Sequence, residues 1–131
     1  MVTAGTEFMY VDTSALIAIE FAEPAGSIAK ARWNAAHVRV SAPLLEAEYL
    51  SACRRDGRTP SFARLEAVAR VHPPRSLAPE IARVLDAGYL RGADCWHLAT
   101  ALWLTPDPAE LLFLTLDERQ REIAQRLGFQ T

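Results

Sequence analysis

Apolar residues fall along the chain in two rhythms. Short unbroken or alternating runs suit strands, and longer stretches at three- and four-residue spacing suit helices. Phe8-Met9-Tyr10-Val11 is an unbroken run closed by Asp12, and helical spacing begins directly behind it, predicting a strand and then a helix from about Thr13 to Phe21. Glu23-Pro24-Ala25-Gly26 interrupts that helix, and Pro24 suits the first turn of a second one reaching about Ala35. His37 to Ser41 alternates polar and apolar residues, as a strand near a sheet edge would. Pro43 opens a helix to about Arg55, stopped by Asp56-Gly57, and Thr59-Pro60 introduces another over 61–69. Val71-His72 leaves room for only a brief strand before Pro73-Pro74. Helices are then expected from Pro79 to Ala87 and from Ala93 to Leu104. Leu111-Leu112-Phe113-Leu114-Thr115 reads as a buried parallel strand, Glu118 to Leu127 as the last helix closed by Gly128, and Phe129 as the start of a terminal strand. Strands alternating with helices predict an α/β fold with a parallel sheet between helical layers.

Composition narrows the class. The chain has 131 residues, 50% hydrophobic and 23% charged, enough for one ordinary domain with a real core. Neither an internal repeat nor a linker divides it, so 1–131 is expected to be a single domain, with 1–7 a frayed leader and Met9 an alternative start. No apolar run is long enough to span a bilayer and no secretory signal is evident, so a cytoplasmic location is expected. Cys53 and Cys95 are far apart and do not form a CxxC pair, which argues against a disulfide framework or thiolate zinc site.

The net charge of -2 gives no general affinity for nucleic acid, so local clusters carry more information. Lys30 is the only lysine among fourteen basic residues, an excess of arginine that codon preference explains. Arg54, Arg55 and Arg58 form one cluster, and Arg119, Arg121 and Arg126 another. Arginine forks suit phosphate.

The acids carry the candidate chemistry. Asp12 and Asp117 each follow a predicted strand and open a helix, so each suits a helix N-cap. If their strands are parallel neighbours, both carboxylates also reach the same sheet edge, where open α/β sheets bind ligands. Asp94 begins an almost wholly apolar helix, as its cap or as a charge directed into a cleft, and His97 one turn later suits a hydrogen-bonded core position. On the helix from Pro43, Glu46 and Glu48 point to nearly opposite faces, and both faces carry apolar residues. Four gathered carboxylates would repel one another unless protonated or bound to a cation. The absence of His pairs and thiolate pairs favours a hard ion, Mg²⁺ or Mn²⁺, over zinc. Acid clusters holding such ions serve phosphodiester hydrolysis.

Tyr10-Val11-Asp12-Thr13-Ser14, the segment from Ser41 to Glu48, Asp94-Cys95-Trp96-His97-Leu98-Ala99-Thr100-Ala101 and Leu114-Thr115-Leu116-Asp117 together resemble the PIN-domain family, and within it the VapC-type toxin ribonucleases of toxin–antitoxin pairs. The resemblance covers nearly the whole chain from Met9 onward. It implies a three-layer α/β/α sandwich around a parallel sheet of four to five strands, and a pocket that binds Mg²⁺ or Mn²⁺ and cuts RNA. By motif, the catalytic and metal-binding acids would be Asp12, Glu48, Asp94 and Asp117, with Asp117 orienting a water or completing a second metal site. Ser14 and Thr115 match the supporting hydroxyls. Glu46 stands where the family usually has an apolar residue, leaving two glutamates as candidates. Cys95-Trp96 is bulkier than usual and is expected to reshape the pocket floor. Arg54, Arg55 and Arg91 are candidates for RNA contact. The resemblance further implies a homodimer and a small VapB-like antitoxin, expected in a groove between helices at Ser27 to Trp33 and Ser61 to Ala69.

Two other readings compete. A phospho-acceptor or regulatory α/β domain would pair acids after the first strand and carry a late lysine, whereas this chain has one acid there and only Lys30. A PIN-like domain acting in binding alone would not need all four acids.

Overall fold

The computed structural model describes residues 8–131, and the leader read at 1–7 lies outside the described residues. Strands β1 (Phe8–Val11), β2 (Val38–Ser41), β3 (Ala69–Arg70) and β4 (Leu112–Leu114) form a wholly parallel sheet in the order β3-β2-β1-β4. Helices α1 (Thr13–Glu20), α2 (Gly26–Ala35), α3 (Leu44–Arg55), α4 (Ala63–Glu66), α5 (Ala78–Ala87), α6 (Gly92–Leu104) and α7 (Glu118–Leu127) connect and cover the strands. Gln130 bridges in parallel to Leu112, so the tail after α7 touches the outer side of β4.

Strand alternation divides the core in two. Met9, Val11, Leu112 and Leu114 pack with Leu16, Trp33, Leu45, Tyr49 and Leu65 from α1 to α4. Tyr10, Val40 and Phe113 face the other way, against Val84, Leu98, Leu102 and Ile123 from α5 to α7. This is a three-layer α/β/α arrangement. No helix among the described residues is long and apolar enough to cross a membrane.

Two local expectations change. The helix expected over 61–69 is one turn, Ala63–Glu66, and the following strand lies at Ala69–Arg70, earlier than Val71-His72. Leu65 and Val68 are buried anchors, and the Arg70 guanidinium donates to the carbonyls of both, ending the helix. Ala69 and Arg70 are then free to pair with Val40 and Ser41. A long helix at 61–69 therefore does not exist to form one wall of an antitoxin groove. β2 lies one strand in from the edge, since the short β3 covers its C-terminal half.

Candidate functional site

Because β1 and β4 are parallel neighbours, the residues that follow them emerge at one edge of the sheet. Asp12 caps α1, its Oδ2 accepting from the Ser14 backbone N–H at 3.0 Å. Asp117 caps α7, its Oδ1 accepting from the Gln120 N–H at 2.8 Å. Both are helix caps and both line the same pocket of about 670 Å³. Asp94, in the first turn of α6, makes no cap bond and also lines it, as does Glu48 from α3. The N-termini of α1, α6 and α7 thus open onto one cleft, where their dipoles favour negative charge.

Glu48 and Glu46 separate cleanly. Glu48 is half-buried and faces the pocket, whereas Glu46 is exposed and pairs with Arg70 at 3.3 Å. Of the three candidate arginines, Arg55 and Arg91 line the pocket and Arg54 does not. Cys95 and Trp96 do not form the pocket floor. They face α5 beside Ile81 and Leu85, because successive helix positions turn them away from Asp94. Both cysteines are free and buried. The other arginine cluster is occupied locally: Arg119 and Arg126 donate to the Tyr89 and Ala87 carbonyls at the end of α5, and Arg121 to Glu118 and the Thr115 carbonyl.

Neutral donors surround Asp12, which is 4% exposed. Ser14 Oγ donates to its Oδ2 at 2.5 Å and Gln120 Nε2 to its Oδ1 at 3.1 Å. Thr115 Oγ1 lies 3.3 Å from Oδ2, but its single proton is better placed on Gln120 Oε1, at 2.6 Å. Gln120 Nε2 also donates to the Asp94 carbonyl at 3.1 Å. Fully buried Gln120 therefore links both caps to α6, through its side-chain amide to Asp12 and Asp94 and its backbone N–H to Asp117, a role not anticipated from the sequence. Its signal was available: an uncharged residue three positions after the Asp117 cap, on the stripe that buries Ile123 and Ala124.

The acids experience opposite fields. Burial pushes the Asp94 carboxyl up, and repulsion from Asp12, Asp117 and Glu48 adds to it against the pull of Arg91. Burial pushes Glu48 up too, but hydrogen bonds from His97 and Thr13 outweigh it and hold that carboxyl below its ordinary value. Asp12, Asp94 and Asp117 form no ion pair among the described residues. The cleft gathers four carboxylates, with Arg91 and Arg55 among its lining and the Arg55 guanidinium paired with Asp56 at 2.9 Å. Among the described residues no three His, Cys, Asp or Glu side chains form a ready-made metal cluster.

Residues 9–126 match the PIN domain family. The chain is also similar to ribonuclease VapC46 of Mycobacterium tuberculosis (strain ATCC 25618 / H37Rv), with 34% identity over 126 residues covering 92% of each chain. No solved structure matches. The four acids lining one pocket and these matches agree: the chain belongs to the PIN-domain family and, within it, to the VapC-type proteins.

Proposed function

We propose that this protein is a metal-dependent endoribonuclease, the toxin of a toxin–antitoxin pair, acting in the cytoplasm as a single catalytic domain. The observation that carries this reading is the convergence of Asp12, Glu48, Asp94 and Asp117 on one pocket at the C-terminal edge of the sheet. The donor set fits Mg²⁺ or Mn²⁺, which prefer carboxylate oxygens. Mg²⁺ usually takes only one or two carboxylates and keeps several waters, so a preformed cage of three acids is not required.

When bound, such an ion supplies an activated water and neutralises charge on the phosphodiester. Asp12, Asp94 and Glu48 are the residues that would hold it, directly or through water. Ser14 and Gln120 fix the Asp12 carboxylate from either side, and Thr115 fixes Gln120. Asp117, which lines the same cleft, would orient the attacking water. Arg55 and Arg91 at the rim are the phosphate contacts, while Arg54 lies away from the pocket. A phospho-acceptor role finds no support here, since Lys30 is exposed on α2 and does not line the cleft. A VapB-like antitoxin would inhibit by directing an arginine among the acids, where a guanidinium matches the carboxylates. A homodimer is the expected assembly.

The test is cleavage of RNA by rigorously purified protein with Mg²⁺ or Mn²⁺ and with EDTA. Cleavage should require the metal. Asp12→Asn and Asp94→Asn should each lower it by about a hundredfold or more while circular dichroism stays native, on the scale of losing one charge-stabilising group at a reacting centre. Wild-type cleavage by either folded variant would show the site to be misassigned.

A further inference from the structure

His97 is fully buried, yet it touches the pocket through Glu48. Its Nδ1 lies 2.7 Å from the Tyr10 hydroxyl and its Nε2 lies 2.8 Å from Glu48 Oε1. The hydrogen-bond directions follow from Glu48: its ionised carboxylate can only accept, so His97 Nε2 donates to it and a neutral ring is left accepting at Nδ1. The Ala42 N–H donates to the Tyr10 oxygen at 3.1 Å, so the Tyr10 proton is available for His97 Nδ1. With Nδ1 accepting, the imidazole proton sits on Nε2 and is donated to Glu48. Thr13 Oγ1 donates to the same Oε1 at 2.6 Å. Both of these bonds fall on one carboxylate oxygen, Oε1.

The ring positions are constrained by packing as well. Tyr10 stacks on Phe113 with centroids 5.3 Å apart and meets the His97 ring edge-on at 5.7 Å. The relay therefore joins β1, α6 and α3 through side chains with little freedom to move.

We propose that Tyr10 and His97 are positioning residues: their buried donor relay pins Glu48 Oε1 and leaves Oε2 as the oxygen offered to a divalent cation in the pocket. This rests on the reading of Glu48 as a cation ligand. A residue that orients a ligating carboxylate affects affinity for the ion without touching it.

Two substitutions at one position separate orientation from bulk. The amide of His97→Gln reaches the place of Nε2 and can donate to Glu48. The shorter His97→Asn reaches only the place of Nδ1. Mn²⁺ binding is measured by the electron paramagnetic resonance signal of free Mn²⁺ during titration, with no RNA present. His97→Asn should weaken Mn²⁺ binding about 10–100-fold, and His97→Gln should recover most of the loss. A residue that served folding alone would lower thermal stability in both variants and leave Mn²⁺ affinity unchanged. Unchanged affinity in folded His97→Asn, or no recovery in His97→Gln, overturns the relay and leaves the metal pocket standing. Failure of the wild-type protein to bind Mn²⁺ overturns both. If His97→Asn does not fold, Tyr10→Phe carries the test, because it keeps the imidazole and removes the hydroxyl that donates to it; unchanged affinity there overturns the relay equally.

Discussion

Asp94 and Glu48 line the same cleft and respond oppositely to it. The folded state raises the Asp94 pKa, chiefly by burial and then by the neighbouring acids. Its favourable contribution to folding is therefore complete below the ordinary carboxylate range and is lost as pH rises through the raised value. Glu48 is held low by His97 and Thr13, so its contribution is present above the ordinary range and lost as pH falls through the depressed value. Without metal, Asp94→Asn should raise the melting temperature at neutral pH and Glu48→Gln should lower it. Both differences should shrink as acid protonates the wild-type carboxyls, as a melting series from pH 8 down to about pH 3 would show. Asp12 and Asp117 were legible in the sequence because each closes an apolar run, whereas Asp94 and the choice of Glu48 over Glu46 rested on the family resemblance. Of their partners, the resemblance pointed to Ser14, which does bond Asp12, but not to Thr13, His97 or Gln120. These three sit 35, 49 and 108 residues from the carboxylates they contact, and only the folded chain brings them together.

Elements were most legible where a local signal agreed with packing. The helix opened by Pro43 and the apolar strand at Leu112–Leu114 lie close to their expected places. The segment from Ser61 to Arg70 was misread because its helical spacing served a single buried turn, and the decisive interaction was Arg70 reaching back to two carbonyls. The join between α1 and α2 was read from Pro24, expected in the first turn of α2, but α2 starts only at Gly26. Gly26 begins α2 against the Ala18 carbonyl, and a Cβ there would lie 2.3 Å from that oxygen. Neither atom can move without shifting a helix. Gly26→Ala should therefore destabilise the protein by about 1–3 kcal/mol, as overpacking commonly does, measured by urea unfolding. The effect on Mn²⁺ affinity should be small, since Gly26 lies outside the pocket.

At the scale of the molecule, the sheet order turns scattered acids into one site, and it should make that site a thermal reporter. A cation that binds only the folded state stabilises it by mass action, about 2.7 kcal/mol at a hundredfold excess over Kd. Mn²⁺ should raise the melting temperature of the wild-type protein by several degrees, with little or no rise for Asp12→Asn or Asp94→Asn. The layered α/β architecture was legible from alternation alone, but the order β3-β2-β1-β4 was not, because periodicity says which face a residue takes and nothing about which strand lies beside it. That order also sets when the pocket can be completed during synthesis. Val11 pairs with Leu114, so the wall carrying Asp12 is completed by a strand made about a hundred residues later. Closing so long a loop is slow, and no shorter nascent chain contains both halves of the pocket. A ribosome making this protein thus exposes no complete four-acid pocket until Leu114 and Asp117 have emerged.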